Sequence, residues 1–183
     1  MKKLLFSVGL LAALTLFLGS CKDDDPKNGG SFTYDGKKYT LAHAYITSDG
    51  TDTEGDDSYS YWFLVLVSSG LEYEEDDEWF NGEGDLIYVY LSAANKADNE
   101  TLPAGTYLAP SDDGEDRIDY GEFWLNYKTE AGTRDEIETD VDDASITVTK
   151  SGTRYTLKFI INFEDDKQMT GSFSGPIEEV LLD

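Results

Sequence analysis

Three residue types in this chain are suited to chemistry: 38 carboxylates, one cysteine and one histidine. Hydrolysis by a serine or cysteine nucleophile requires a histidine base beside the nucleophile. The histidine, His43, stands in a predicted strand. It shares a strand face with Tyr39, Leu41 and Tyr45, which indicates a packed or hydrogen-bonded imidazole. One histidine and one thiol also fall short of the ligands of a typical zinc site. These residue types argue against a hydrolytic triad and against zinc.

Carboxylates alone are sufficient for glycoside hydrolysis, which needs two of them about 5 or 9 Å apart. Linear spacing cannot select such a pair from so many acidic residues. Glu122 is the least arbitrary choice, because it shares a predicted strand with Tyr120 and Trp124. A carboxylate on a solvent-facing strand is the commoner explanation of this position. A small carboxylate-based glycoside hydrolase therefore stays an alternative, and no catalytic residue is assigned.

Acidic loops provide a different chemistry, the binding of a hard cation such as Ca²⁺. Calcium takes six to eight oxygen ligands, and loops that mix carboxylates with glycines can supply several of them. The candidate ligands are Asp49, Asp52, Glu54, Asp56, Asp112 and Asp113. None of the acidic loops matches an EF-hand. A solvated acidic surface that prevents edge-to-edge association of sheets is the commoner interpretation. We therefore predict no cofactor, with calcium as the alternative.

Aromatic residues stand in one of these acidic stretches, LEYEEDDEWFNGEGD. Tyr73, Trp79 and Phe80 have no obvious strand there to bury them. Exposed rings can stack on a sugar face or anchor a protein partner. The alternative is that the loop folds back and the rings cap the end of the core. These three residues are the candidate ligand-binding residues of the sequence.

The first 20 residues have the layout of a secretory signal. Lys2 and Lys3 carry positive charge, residues 4–18 are almost wholly apolar, and the small residues Gly19 and Ser20 follow. The apolar run is about 15 residues long, whereas a membrane-spanning helix needs roughly 20. The run therefore indicates a cleaved leader in preference to a permanent anchor.

The residues Leu18-Gly19-Ser20-Cys21 resemble the lipobox of bacterial lipoproteins. The resemblance implies that the Cys21 thiol receives a diacylglycerol, that the leader is removed just before it, and that the new amino terminus is acylated. The alternative is an ordinary signal peptide with a free cysteine near its cleavage site. An unpaired thiol in an exported chain calls for an explanation, and lipidation provides one.

The next residues, Lys22, Asp23, Asp24 and Asp25, resemble the acidic export signal of surface lipoproteins of the Bacteroidota. The resemblance implies a lipid-anchored protein on the outer face of the outer membrane. The alternatives are a solvated charge run in a linker and a location on the periplasmic face. The predicted membrane contact is through the amino-terminal lipid.

Composition narrows the function classes further. The formal net charge of −24 repels nucleic acid phosphates, which argues against nucleic-acid binding. The length of 183 residues favours one domain. Aromatic residues make up 13% of the chain, which argues against disorder in spite of the acidity. We divide the chain into a signal peptide (1–20), a flexible acidic tether (21–31) and a folded domain (32–183).

The folded domain consists of strand-like runs separated by turn residues, without a useful amphipathic helix. The runs include residues 37–47 after an Asp35-Gly36 turn, residues 59–68 with two apolar faces that indicate cover on both sides, and residues 118–128, where Phe123, Leu125 and Tyr127 share a face. Residues 154–163 place Tyr155, Leu157, Phe159, Ile161 and Phe163 on one face. They form an antiparallel meander with a strand around Ile146 and Val148 and with residues 168–174.

Eight or nine antiparallel strands at this spacing predict an all-β fold, either a β-sandwich or a flattened lipocalin-like barrel. The pieces LPAGTY (102–107) and GTRYTLKFIINFEDDKQMTGSFSGPI (152–177) also resemble segments of small all-β lipoproteins of Bacteroidota. That resemblance supports the architecture and implies no catalytic residue.

The predicted function is a non-catalytic binding or accessory role at the cell surface, with a glycan or another envelope protein as the ligand. The hydrolase is one alternative. A purely structural envelope protein is the other. A cleft with two facing acids would favour the hydrolase, whereas a flat aromatic platform would favour binding.

Overall fold

The computed structural model describes residues 28–54, 57–94, 101–111, 115–130, 132–137 and 140–182. All regular structure in these ranges is β-strand, which confirms the predicted all-β class. The strands are β1 (Gly29–Tyr34), β2 (Lys37–Leu41), β3 (His43–Glu54), β4 (Asp57–Val67), β5 (Leu71–Glu74), β6 (Trp79–Ala94), β7 (Gly105–Ala109), β8 (Arg117–Lys128), β9 (Thr133–Glu136), β10 (Val141–Ser151), β11 (Arg154–Phe163), β12 (Gln168–Gly175) and β13 (Glu178–Glu179). Over the same ranges, no helix is long and apolar enough to span a membrane.

Eleven strands follow one another in a single curled sheet, in the order β13-β3-β4-β6-β8-β7-β10-β11-β12-β1-β2. Beside this path, β5 pairs with β6 and β9 pairs with β8. The pairs β13–β3 and β7–β8 are parallel, and the other pairs are antiparallel. β2 and β3 lie near opposite ends of the path, although only Ala42 separates them in the chain. The sheet therefore curls until its two end regions approach each other, and β12 contacts β3 as a result.

The inner face of the curled sheet encloses the larger hydrophobic core. Strand β11 shows how the sequence builds it, because alternate side chains of a strand point to the same face. The predicted inward residues are Tyr155, Leu157, Phe159, Ile161 and Phe163, and all five are buried. Trp62 of β4 and Tyr107 of β7 are fully buried in the same core. Because the sheet is curled, side chains from distant strands of its inner face pack against one another.

A second, smaller core lies on the outer face of β3, β4, β6 and β8. Its buried members are Tyr45, Val65, Val67, Leu71, Phe80, Leu86 and Trp124. The hairpin formed by β5 and the start of β6 covers them, and the segment after β13 adds Val180 and Leu182. Thr47 Oγ1 donates a hydrogen bond to the Val180 carbonyl at 2.6 Å, which holds this segment against β3. We call this group the outer core.

The structure has more strands than the eight or nine predicted. Strands β5, β9 and β13 contain two to four residues each, which is too short for a recognisable alternation in the sequence. Residues 37–47 were predicted to be one strand, but they divide at Ala42 into β2 and β3. The Ala42 amide donates to the Val67 carbonyl at 2.8 Å, so the chain changes direction there while its backbone stays hydrogen-bonded.

The first strand begins within the predicted tether (21–31). β1 starts at Gly29, so the last three residues of the predicted tether pair with β12. Gly30 lies so close to β12 that a Cβ atom would sit 1.9 Å from the Ser172 carbonyl oxygen. Gly30 therefore allows the backbones of β1 and β12 to approach each other closely. The signal peptide, Cys21 and Lys22 to Asp25 lie outside the described residues, and their roles stay predictions.

Candidate binding surface

Beyond the outer core, the outer face of the central strands carries a group of aromatic side chains. In the ladder, Phe63 of β4 lies opposite Tyr90 of β6, and Tyr90 lies opposite Tyr120 of β8. Because side chains alternate along a strand, Tyr61 and Tyr88 lie on the same face. We call these five residues the aromatic platform.

The rings of the aromatic platform contact one another continuously. Tyr61 and Tyr90 are stacked, with centroids 5.6 Å apart and an interplanar angle of 11°. The Phe63 centroid lies 4.6 Å from that of Tyr90 and 5.4 Å from that of Tyr88. Tyr120 lies 5.3 Å from Tyr90 and 5.9 Å from Tyr88. Aromatic pairs attract at these separations, so the side chains hold one another in place.

Solvent reaches the aromatic platform. Tyr120 is 46% exposed, and the other four side chains are half-buried. The two apolar faces of residues 59–68 predicted a strand covered on both sides, but the hairpin covers only Val65 and Val67. The sequence does contain one signal for this aromatic face. Tyrosines alternate with apolar residues along a strand, as Tyr88 and Tyr90 do in β6, and so share one face.

The platform hydroxyls have defined partners. Tyr90 Oη donates a hydrogen bond to Asp49 Oδ2 at 2.6 Å, and Tyr120 Oη donates to Tyr88 Oη at 3.4 Å. Burial raises the pKa of Tyr88 and Tyr90 above the ordinary tyrosine value. The hydrogen bond with Tyr120 raises the pKa of Tyr88 further, and the bond with Asp49 does the same for Tyr90. Both phenols are therefore neutral at physiological pH.

Carboxylates border the aromatic platform. Asp49 sits at a bulge of β3, where the register with β4 shifts between Ser48 and Gly50. Glu122 lies opposite Tyr88 in the ladder, and Asp119 precedes Tyr120. A ligand on this surface thus meets ring faces together with hydrogen-bond acceptors, and an anionic ligand is repelled. The surface combines accessible ring faces with hydrogen-bond acceptors at its border.

The three rings predicted to bind a ligand lie in the β5–β6 hairpin, beside the aromatic platform. Phe80 is 0% exposed and packs in the outer core, so it presents no ring face to a ligand. Tyr73 is half-buried, and its hydroxyl donates to the Leu181 carbonyl. Trp79 is half-buried with its centroid 6.2 Å from that of Tyr88, so it extends the aromatic platform at one edge. The loop folds back, and a ligand-binding role stays a prediction for Tyr73 and Trp79.

The residues predicted to bind calcium are described only in part. Asp49 accepts the Tyr90 hydrogen bond, and Asp52 Oδ1 accepts one from the Thr53 amide at 2.7 Å. Glu54 ends β3, and nothing is described of its side chain. Asp56, Asp112 and Asp113 lie outside the described residues. Within the ranges that the structure describes, no three His, Cys, Asp or Glu side chains form a group suited to a metal ion. Calcium binding stays a prediction.

His43 is not packed as the alternation predicted. The break at Ala42 places Leu41 and Tyr39 toward the inner core, whereas Tyr45 faces the outer core. His43 is exposed, and its ring centroid lies 6.2 Å from that of Tyr45. The prediction assumed that every second residue from Tyr39 to Tyr45 lies on the same face of one strand. It fails because the chain divides at Ala42 into two strands.

Comparisons with known proteins identify no family for this chain. No protein-family model matches it, and no curated protein and no solved structure matches it significantly. The described geometry, and the aromatic platform in particular, is therefore the basis for a functional proposal.

Proposed function

We propose that this chain is a lipid-anchored binding protein whose β domain holds a ligand on the aromatic platform without transforming it. The observation that supports the proposal is a continuous set of five solvent-accessible rings on a hydrogen-bonded sheet. Rings that already hold one another in place lose little conformational freedom when a ligand binds. The finer architecture that we propose for the domain is a flattened barrel, which would keep this face rigid.

The ligand class that fits the aromatic platform is a neutral glycan. Sugar rings have apolar faces of C–H groups that stack on aromatic rings, and their hydroxyls hydrogen-bond at the edges. Here Tyr120 offers the most exposed ring, while Asp49 and Glu122 stand at the border as acceptors. The carboxylates and the net charge of −24 disfavour anionic glycans.

An envelope protein is the second candidate ligand. Tyrosine-rich surfaces anchor protein partners because a tyrosine contributes a large contact area and loses little side-chain entropy. The partner would need a basic or uncharged contact surface, since Asp49, Asp119 and Glu122 border the aromatic platform. A pull-down from envelope extracts, compared with a glycan array, would separate the two ligand classes.

The glycan proposal predicts that the double variant Tyr90→Ala, Tyr120→Ala binds its glycan about tenfold or more weakly. A tenfold loss is about 1.4 kcal/mol, which corresponds to roughly 55 Å² of apolar surface no longer buried at about 25 cal/mol per Å². The glycan is first identified by probing a glycan array with residues 22–183, and affinities are then measured by calorimetry.

The matched control for this experiment is Ile160→Ala. Ile160 is 48% exposed on β11, so its loss removes exposed apolar surface away from the platform. Affinity should not change in this variant. Unchanged affinity in the double tyrosine variant, with its melting temperature preserved, would contradict the proposal. Binding of an envelope protein without any glycan would assign the platform to the second candidate.

The lipid anchor predicts that Cys21→Ser releases the protein from membranes and abolishes its labelling by fatty acid. One acyl chain holds a protein only marginally, whereas the two or three chains of a lipoprotein anchor it durably. Fractionation of cells grown with a labelled fatty acid would measure both effects. A variant that stays membrane-bound would contradict the proposed anchor.

The proposed location is the outer face of the outer membrane. Protease treatment of intact cells should degrade the wild-type domain there, whereas a domain on the periplasmic face would be protected. Replacing Asp23, Asp24 and Asp25 with asparagine should move the protein to the protected side if they act as the export signal.

The hydrolase and the structural protein make different predictions from the binding protein. A hydrolase would convert the glycan, with Glu122, opposite Tyr88 in the ladder, as its least arbitrary carboxylate. Incubating the bound glycan with the protein and analysing the products by mass spectrometry distinguishes the two. A purely structural protein would bind neither glycans nor a specific partner through the aromatic platform.

A further inference from the structure

The curled sheet has an opening in its wall between β8 and β10. On this side β8 pairs with β7 only at Arg117, and with β9 only from Trp124 onward. β10 pairs with β7 from Ala144 onward, so its first residues have no partner on the β7 side within the described chain. The stretch of β8 between these pairings has no neighbouring strand on this side among the described residues. We call this gap the side opening.

The side opening leads into a cavity of about 640 Å³. The apolar walls that remain accessible are the half-buried side chains of Ile118, Ile137 and Val141. They pack against the inner core, whose buried residues Val89, Phe123, Ile146 and Ile161 lie beneath them, so the depth of the cavity is apolar. Its volume lies within the range of about 300–1,000 Å³ that is usual for small-molecule sites. The cavity can therefore accommodate the apolar body of a small molecule.

The rim of the side opening is acidic. Asp119, Glu136, Asp140 and Asp142 line it, and no Lys or Arg is among its described lining residues. Asp119 has Arg117 Nε at 3.6 Å from its Oδ1 atom. Glu136 ends β9, which pairs with β8, whereas Asp140 just before β10 and Asp142 within it lie on the opposite side of the gap. A ligand whose body fills the cavity has its polar end among these carboxylates.

We propose that the side opening binds a small amphipathic molecule with an apolar body and a positively charged ammonium head. The apolar walls stabilise the body by removing it from water, and the rim stabilises the head by charge complementarity. A bare metal ion would leave the apolar cavity unfilled, and an anionic amphiphile would be repelled at the rim. The side opening shares Asp119 and Tyr120 with the aromatic platform, but its apolar walls face the inner core and not the platform rings.

The test uses three probes of equal chain length: octylammonium, octanol and octanoate. Each is titrated by calorimetry, below its aggregation concentration, into residues 22–183. Octylammonium should bind at one site per chain. Octanol should bind about threefold to tenfold more weakly because it lacks the charge, and octanoate more weakly still. Equal binding of octanoate and octylammonium, or no binding of any probe, would overturn the proposal.

Two variants locate the binding in the side opening. Ala144→Trp fills the cavity and should weaken octylammonium binding about tenfold or more. Asp140→Asn with Asp142→Asn leaves the core intact and should weaken octylammonium about threefold to tenfold, without affecting octanol. If Ala144→Trp does not fold, the asparagine pair decides the question by itself.

The matched control is Glu74→Gln with Asp76→Asn, which removes two exposed carboxylates in the β5–β6 hairpin. Octylammonium binding should be unchanged in this variant. An equal loss in both double variants would show attraction to the overall negative charge only, and would overturn the proposed site. A protein segment paired with the free edge of β8, found in place of the small molecule, would also overturn it.

Discussion

Replacing Phe80 with alanine is expected to lower the free energy of unfolding by about 3–5 kcal/mol. The Phe80 ring is 0% exposed and its centroid lies 5.2 Å from that of Tyr45 and 5.7 Å from that of Tyr73. The substitution removes the ring from the centre of the outer core and leaves a cavity beneath the hairpin. Total stabilities of single domains are about 5–15 kcal/mol, so this loss is a large fraction. Urea denaturation followed by tryptophan fluorescence measures it.

The matched control for Phe80→Ala is again Ile160→Ala, which removes an apolar side chain that is 48% exposed. A surface substitution of this kind changes stability by no more than about 0.5 kcal/mol. A loss below about 1 kcal/mol for Phe80→Ala would contradict the buried position of the ring and favour the alternative of an exposed, ligand-binding ring. The comparison therefore separates a packing role from a binding role.

The second large effect is expected for Gly82→Ala, which should cost about 3 kcal/mol or more of stability. Gly82 has a φ of +118°, and a Cβ atom there would lie 2.1 Å from the Gly70 carbonyl oxygen. Alanine is strained at this φ, and the clash is with backbone, which cannot rotate away. The hairpin should detach from the outer core, and the melting temperature should fall.

Gly152→Ala is the control for this second effect. Gly152 also has a positive φ, +61°, but a Cβ atom there would meet nothing within 4 Å. Its substitution should cost only the left-handed backbone penalty of roughly 1–2 kcal/mol. Equal losses at both positions would contradict the close approach of Gly82 to Gly70. Proteolysis of the hairpin provides an independent measure, because a detached hairpin is cleaved faster.

Local sequence signals predicted the parts of the fold in which neighbouring strands follow one another in the chain. The Asp35-Gly36 hairpin has positive φ at both residues, 48° and 72°, as a tight turn of this kind requires. In the meander, β11 and β12 were predicted with nearly their observed bounds, whereas β10 begins at Val141, before the predicted alternation of Ile146 and Val148. In these segments the turn residues and the alternation of apolar side chains predict the same strands. Contacts with distant parts of the chain leave the bounds of β11 and β12 nearly as predicted.

The alternation of β8 was predicted only in part. Phe123 and Leu125 face the inner core as predicted, but Tyr127 packs against the outer core with Trp124. Asn126 has a φ of +50°, and the register with β9 shifts between Leu125 and Lys128. The bulge reverses the face on which Tyr127 lies. No signal in a strand of this composition indicates that an asparagine adopts this conformation.

The aromatic platform could not be predicted as a site, because its members come from three strands whose register depends on the whole sheet. Tyr61, Tyr90 and Tyr120 are brought together by pairings between β4, β6 and β8. The β5–β6 hairpin covers part of the outer face, and only the side chains that it leaves uncovered remain accessible to solvent. Both depend on contacts between distant parts of the chain, which a pattern within one strand does not encode.

The position of β1 determines how the domain withstands mechanical load from its amino-terminal side. β1 lies inside the sheet, hydrogen-bonded to β12 on one side and to β2 on the other. Detaching β1 therefore requires breaking two ladders of hydrogen bonds, whereas an edge strand is held by one. If the proposed lipid anchor is present, a pull on it would load both ladders at once.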